Sequence, residues 1–466
     1  SYDSRFANFV SRTRRLPPDP TRKAPVWKTS HRITVGRTFR DECHTTYGET
    51  TPIVLKLTAL AECWAPAHWF LSATPCTSSP ANLAAFMRLT ETRQWRADPC
   101  TRKNNYQLLQ QLGKQFNTAS AKENVTQIDA ILDRLGAFFR AINFLKRTQE
   151  SVWFGRTCLD LPEQIVHPID CPLDATDREN IKQLRDTRLG DIHSAMHTVN
   201  RGALKVKLSS MTQAIRICAA FPGLLCHAKQ QGKAITDIPT TVERMEAEDI
   251  LPHPENSWLA SQIDTVLRGS SRWVAVQRII DGLGIESDTG QPRKIVILSQ
   301  YPTVAVIVYL AICKHYPAHH PYLGLRNAAD RSFWVDKFQE LPTGASLIYK
   351  NEPARSPGIF VATTNTSSRG LTLTRAASLI LMEVDWRSTN HTQAFGRIRR
   401  IGQTSPVVHD YIFQNTQEEE DQRAILKNMA RQALEKTVNT YGQKGSPSGQ
   451  QGEEDDGMML DEALQA

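Results

Sequence analysis

Strand-like and helix-like segments alternate from about residue 258 to 415, and this predicts an α/β protein built on a parallel sheet. The candidate strands are 294–299, 346–350, 358–363, 378–384 and 407–413. The candidate helices lie near 302–314, 328–340 and 391–400. A second observation is "HWFLSAT" (68–74), which reads as a buried strand and places the end of another parallel sheet within 31–82. A third is the stretch 83–150, which lacks strand signals. Its apolar residues Leu132, Leu135, Phe138, Phe139, Ile142 and Leu145 recur at helical intervals, the pattern of a packed helix face. Residues 176–230 also read as helical. The segment from Asp237 to Asn256 holds three prolines and several acids and reads as a linker.

Composition bounds the class. The chain has 466 residues, enough for two or three domains, with 40% hydrophobic and 22% charged residues. No apolar run reaches the ~18 residues of a membrane span, and "VAVIVYLAIC" (304–313) has the length of a buried helix. Nine cysteines with no C-x-x-C pair argue for reduced thiols and against a disulfide framework. "CKHYPAHH" (313–320) gathers a cysteine and three histidines, but without zinc-ligand spacing it reads as a helix end and loop.

The formal net charge is +8. Residues 1–40 carry ten Lys or Arg against two Asp. The segment from Gly442 onward carries six acids and one Lys, which leaves +13 on the rest of the chain. A basic body of that kind suits a polyanionic partner, although charge alone is equally compatible with an ordinary basic protein.

The most informative stretch is "QAFGRIRRIGQ" (393–403). Gln393, Arg397 and Arg400 have the spacing of one helix face, so the two guanidinium groups can converge on one target. A planar, permanently charged five-donor group suits a phosphate undergoing transfer. Gly402 is placed to end the helix. On its own the segment is equally compatible with a basic surface helix. Because ligands of parallel sheets bind at the C-terminal strand ends, this segment and "TSSRGLTL" (366–373), each following a strand, are both expected on that edge.

Together with "DECH" (41–44) and "LSATP" (71–75), "QAFGRIRRIGQ" resembles motifs II, III and VI of the superfamily-two helicases. The "RIGQ" ending narrows the resemblance to the Swi/Snf-type ATPases, the double-stranded-DNA translocases of chromatin remodelling and repair. "FLKRTQESV" (144–152) resembles the basic segment leaving the family's first lobe, and "LDLPEQIVHPIDCPLDATDRENIKQL" (159–184) its sequel. "RKIVILSQY" (293–301) looks like motif IV, and "TTNTSSRGLTLTRAASLILMEVDW" (363–386) like motif V and the strand after it. These ordered matches span about 31–415.

The resemblance implies two RecA-like parallel-sheet lobes, the first incomplete, with helical insertions. Residues 1–30 would be a basic N-terminal remnant. The end of the ATP-binding lobe would occupy 31–82, a helical insertion and linker 83–257, and the C-terminal lobe 258–415. A brace-like helix, opened by a capping box of Thr416 and Glu419, would occupy 416–441. The acidic, low-complexity stretch 442–466 is expected to be disordered.

The resemblance also implies ATP and Mg²⁺ as cofactors. Asp41 would hold the metal and Glu42 orient the attacking water. His44 would link that pair to Ser72 and Thr74, whose hydroxyls relay the nucleotide state, with Gly370 and Gln393 also coupled to the nucleotide. Arg397 and Arg400 would reach across the cleft as arginine fingers. Thr364, Thr366, Ser367, Ser368 and Arg369, with Lys146 and Arg147 as a second basic set, would track the DNA backbone. Read without the resemblance, each of these sets is an ordinary turn or solvated loop. The implied partners are double-stranded DNA, with nucleosomes a candidate, and the implied compartment is the nucleus, with no membrane. "RSTN" after Trp386 departs from the family's usual Asn-Pro.

No G-x-x-x-x-G-K-[ST] occurs; Gly113-Lys114 is followed by Gln115 and Gly232-Lys233 by Ala234. The family's phosphate loop lies upstream of "DECH", so most of the first lobe is expected to be missing from this chain. Two alternatives stand beside the translocase. One is an ATPase-dead DNA-binding or interaction remnant, which the missing loop favours. The other is a strand-separating DNA or RNA helicase, which "RIGQ" and the long helical inserts disfavour.

Overall fold

The computed structural model describes residues 13–15, 27–29, 37–40, 67–72, 79–84, 99–141, 152–153, 155–157, 159–195, 212–225, 254–286, 289–325, 328–367, 371–383, 388–414, 434 and 437. The chain divides into two compact units, one formed by Ser1–Cys158 with Lys427–Ala466 and the other by Leu159–Leu426.

In the first unit, strands β1 (Arg37–Arg40) and β2 (Ala67–Phe70) pair in parallel, with Phe39 opposite Trp69. Sequence reading expected a buried strand here. Instead Phe39 and Trp69 are 64% and 51% exposed and stack on each other at 6.0 Å. Helices α1 (Pro99–Ala121) and α2 (Val125–Ala141) form a hairpin. Asn124 caps α2, its Oδ1 accepting the Gln127 amide at 3.0 Å. The described part of the predicted stripe closes the hairpin: Leu132, Leu135, Phe138 and Phe139 are buried against Leu109, Leu112 and Phe116, while Ile142 and Leu145 lie outside the described residues. Leu434, from the expected brace helix, is helical and buried in the same cluster. Thr416, Glu419 and the acidic tail lie outside the described residues.

The second unit is built on one six-stranded sheet. Its strands are β3 (Gln164–Asp170), β4 (Ile295–Ser299), β5 (Tyr322–Leu323), β8 (Ile359–Thr363), β9 (Ser378–Leu381) and β10 (Val407–Phe413). They are ordered β3-β10-β9-β4-β8-β5, and every pair is parallel. β4 and β8 are buried at every position, as strands covered on both faces must be. Four longer helices accompany them: α3 (Ala175–Ala195), α4 (Ser271–Asp281), α5 (Pro302–His315) and α6 (Ala328–Glu340). α5 is apolar almost throughout and fills one face with Val304 to Ile312. Trp334 and Phe338 of α6 pack on the other face.

Two expectations change. The strand expected at 346–350 is not in the parallel sheet. β6 (Ser346–Tyr349) and β7 (Glu352–Arg355) form a separate antiparallel hairpin, closed by Lys350 and Asn351 with φ of 51° and 68°. The sheet also begins well before residue 258, because β3 lies at its edge and the helical segments of 175–225 join its core. The group at 313–320 is the end of α5 and a 3₁₀ turn (Pro317–His319). Among the described residues no cluster of three metal-ligating side chains exists.

One buried amine fastens α6. Lys294 is 1% exposed, and its Nζ donates to the carbonyls of Phe338 and Leu341 at 2.7 and 2.6 Å, capping the helix's C-terminal end. Burial pushes its pKa down to about 7 from the ordinary 10.5 of a lysine, and Arg375 adds to the push against the pull of Glu286. Between those values the unfolded chain binds a proton that the folded chain lacks, so this residue's contribution to stability rises with pH through that window. We expect the urea-measured advantage of the wild type over Lys294→Met to grow from about pH 7 to about pH 10. An advantage flat with pH would mean that the buried amine stays charged.

Candidate functional site

The arginine segment is not a continuous helix. Helix α7 (Ser388–Phe395) carries Gln393 and then tightens into turns. The Gly396 amide still reaches the Thr392 carbonyl at 3.0 Å, but the Arg397 and Ile398 amides bond three residues back, to Ala394 and Phe395, at 3.1 and 3.2 Å. Burial of Ile398, which is 0% exposed, accounts for the tightening: it draws the chain into the core beside Ala394 and Phe395. Gly402, with φ of +99°, ends the turns, where sequence reading placed the end of the helix.

These turns are held to the segment 371–376. The Leu373 amide donates to the Arg397 carbonyl at 2.9 Å. The Gln403 side chain donates to the Ala376 and Ile398 carbonyls at 2.8 and 3.2 Å, while its Oε1 accepts the Thr404 and Ser405 amides at 3.0 and 3.1 Å. Only an amide side chain offers both donors and acceptor here. Thr372 and Arg400 meet directly: an Arg400 guanidinium N–H donates to Thr372 Oγ1 at 3.2 Å. Arg400 is exposed and Arg397 is 7% exposed, so the two predicted arginines occupy different environments.

A further expectation is corrected. The segment 371–376 precedes β9, and the turns at 396–403 precede β10, so the arginines lie at the N-terminal edge of the sheet. Thr364 and Thr366 follow β8 at its C-terminal edge, where Thr366 Oγ1 lies 2.7 Å from Thr363 Oγ1. The two features are therefore a strand length apart, roughly 13–17 Å for four or five residues. They do not share one edge.

The C-terminal edge also holds a buried charge cluster that sequence reasoning missed. Glu383, just past β9, accepts the Ser299 hydroxyl and the Gln300 amide, each at 3.0 Å. Burial pushes its carboxyl above the ordinary range, against the pull of Arg272 and Arg216. Arg272 of α4 is 1% exposed and donates to the Met382 and Ile412 carbonyls, tying the ends of β9 and β10 together. Arg216 donates to the Tyr301 hydroxyl at 2.9 Å. Nothing in spacing relates residues this far apart, so no local signal marks the cluster.

His409, at the core of β10, stacks on Phe395 at 4.0 Å between ring centroids. Burial, with Arg399 nearby, pushes its pKa down to about 4, so it packs as a neutral ring behind α7. Of the other predicted residues, Ser72 is half-buried beyond β2, and Ser367 is the last residue of a four-residue helix after β8. Asp41, Glu42, His44, Thr74, Lys146, Arg147, Ser368, Arg369, Gly370 and Trp386 lie outside the described residues.

No family model matches the chain. It is 25% identical over 189 residues to the DNA repair and recombination protein RAD54 of Oryza sativa subsp. japonica, covering 39% of this chain and 17% of that protein. It is 36% identical over 81 residues to the lymphoid-specific helicase of Homo sapiens, covering 17% of this chain and 9% of that protein. The chain is a relative of the Swi/Snf-type superfamily-two ATPases. It spans less than a fifth of the length of either relative. Among solved structures, the SWI2/SNF2 ATPase core of Sulfolobus solfataricus in complex with double-stranded DNA aligns at 18% identity and a TM-score of 0.38, over 88% of this chain and 70% of that one.

The unequal burial of the two arginines has a measurable consequence. Arg400→Ala should leave thermal stability within about 0.5 kcal/mol of wild type, as surface changes do. Arg397→Ala removes a buried side chain and should cost about 1–3 kcal/mol. Equal effects would contradict the geometry.

Proposed function

We propose that this chain is part of an ATP-dependent double-stranded-DNA translocase of the Swi/Snf type, acting in chromatin remodelling or DNA repair in the nucleus. The observation that carries this reading is the meeting of two motif segments. The segment resembling motif V presents Thr372 and Leu373, the segment resembling motif VI presents Arg397 and Arg400, and direct hydrogen bonds join them. The relatedness to Swi/Snf-type ATPases supplies the chemistry such a junction would serve.

In this reading Arg400 is the group that meets an incoming γ-phosphate, since its guanidinium is exposed and would exchange the Thr372 hydroxyl for phosphate oxygens. Arg397 acts from within the turn, through the carbonyl that fixes Leu373. Gln393 remains a candidate contact to nucleotide or the facing lobe. An exposed guanidinium fits ATP, and the adjacent carboxylates of Asp41 and Glu42 are suited by chemistry to a hydrated Mg²⁺ and an attacking water. Bound Mg²⁺ would neutralise phosphate charge during transfer. His44, Ser72, Thr74 and Gly370 would relay the nucleotide state. Thr364, Thr366 and Ser367 at the opposite edge, together with Ser368, Arg369, Lys146 and Arg147, would contact the DNA backbone, alone or in a nucleosome.

Backbone binding predicts a salt law. The affinity of the whole chain for short duplexes of unrelated sequence should fall log-linearly with salt, by about 0.9 decades per tenfold increase in salt for each phosphate neutralised. Deleting 442–466 should preserve or tighten binding, because that segment carries −5 against the +13 of the rest. Salt-independent binding, or strong preference for one sequence, would overturn the translocase reading. Salt-dependent binding in a phosphate-loop-containing version that still fails to hydrolyse ATP would instead favour the non-hydrolysing relative.

A further inference from the structure

A third arginine of the same turn faces a different part of the fold. Arg399 Nε donates to the Pro162 carbonyl at 2.9 Å, and one of its terminal nitrogens donates to Gln164 Oε1 at 3.2 Å. Between them, the Glu163 carbonyl accepts the Val407 amide at 2.9 Å. Three consecutive residues, Pro162 to Gln164, are thus each bound by the stretch 399–407. Those three stand at the very start of the second unit, which begins at Leu159, so they are the stretch by which the chain comes in from the first.

The grip is specific to a guanidinium. Its planar fork sends two donors in fixed directions, one to a main-chain oxygen and one to a side-chain oxygen. A lysine ammonium in the same place could hold one of them firmly but has no rigid second arm. Pro162 contributes a fixed φ and no N–H of its own, so the segment is stiff where it is held. At the other end, the Arg399 amide bonds the Phe395 carbonyl at 3.1 Å, anchoring the residue to the last turn of α7. Arg400 is the next residue. A displacement of 162–164 is therefore passed to the arginine turn through two charge-assisted bonds, in addition to the pairing of β3 with β10.

We infer that Arg399 is a positioning residue that couples the segment entering the second unit to the turn carrying Arg400, so that movement of the chain at the unit boundary and the placement of Arg400 are linked. The coupling stands on geometry alone; its consequence for phosphoryl transfer rests on the function proposed above.

Hydrogen exchange of the whole chain tests it, by changing one side and observing the other. Gln164→Ala alters nothing within the arginine turn, yet should raise exchange over 396–403 by roughly threefold or more. Arg399→Met should raise exchange over 159–166 by roughly tenfold, the change expected when charge-assisted bonds are lost, and Arg399→Lys should fall between. Amides of β4 and β8 should be unchanged in all three variants. Loosening confined to the mutated side would overturn the inference. So would equal loosening of β4 and β8, because Arg399 would then merely support the fold. The measurement needs neither ATP nor DNA, so its outcome is independent of whether the proposed function holds.

Discussion

A parallel sheet buried on both faces can present polar chemistry only at its edges. β4 and β8 are buried at every position, and α5 and α6 pack on opposite faces, so the central strands offer accessible polar groups only at their ends and in the connecting turns. This constraint separates the arginine turn from the threonines beyond β8. At the N-terminal edge, the bond between the Leu373 amide and the Arg397 carbonyl joins the segment 371–376 to the turns that follow α7.

The buried ionisable side chains serve the same connectivity. Arg272 joins the ends of β9 and β10, Lys294 closes the end of α6, and Glu383 holds the turn that follows β4. Each uses backbone groups that would otherwise lie buried without partners. Removing one member of such a set leaves buried polar groups without a partner, at about 1–3 kcal/mol for each. The arginine turn is fastened differently. Gln403 is neutral and uses donors and acceptor together, so Arg397, Arg399 and Arg400 are placed without a carboxylate of the turn competing for their charge.

Alternation of apolar and polar segments was enough to locate β10 and α6, because both have ordinary local chemistry and no competing turn signal. It misjudged β6, whose apolar pattern is that of a parallel strand. Only the positive φ of Lys350 and Asn351 turns it into a hairpin, and Lys-Asn signals such a turn weakly. It missed β3 because Pro168 argues against a central strand, and an edge position is where proline is tolerated. It overran α7 because Gly402 resembles a helix end, whereas the burial of Ile398 tightens the chain several residues earlier. The arginine spacing was legible; the unequal burial of Arg397 and Arg400 was not, since it depends on tertiary packing. The cluster around Glu383 left no local trace because its members come from four separate parts of the chain.

The arginine turn and the segment 371–376 form one preorganised body without any ligand. Exchange of the Leu373 amide in the ligand-free chain tests this most directly, because that proton has a single carbonyl, Arg397, as its backbone partner. A preorganised turn gives protection comparable to that of the neighbouring β9 amides. Exchange at the rate of an open loop would contradict it and would mean that the turn is assembled only when a ligand binds.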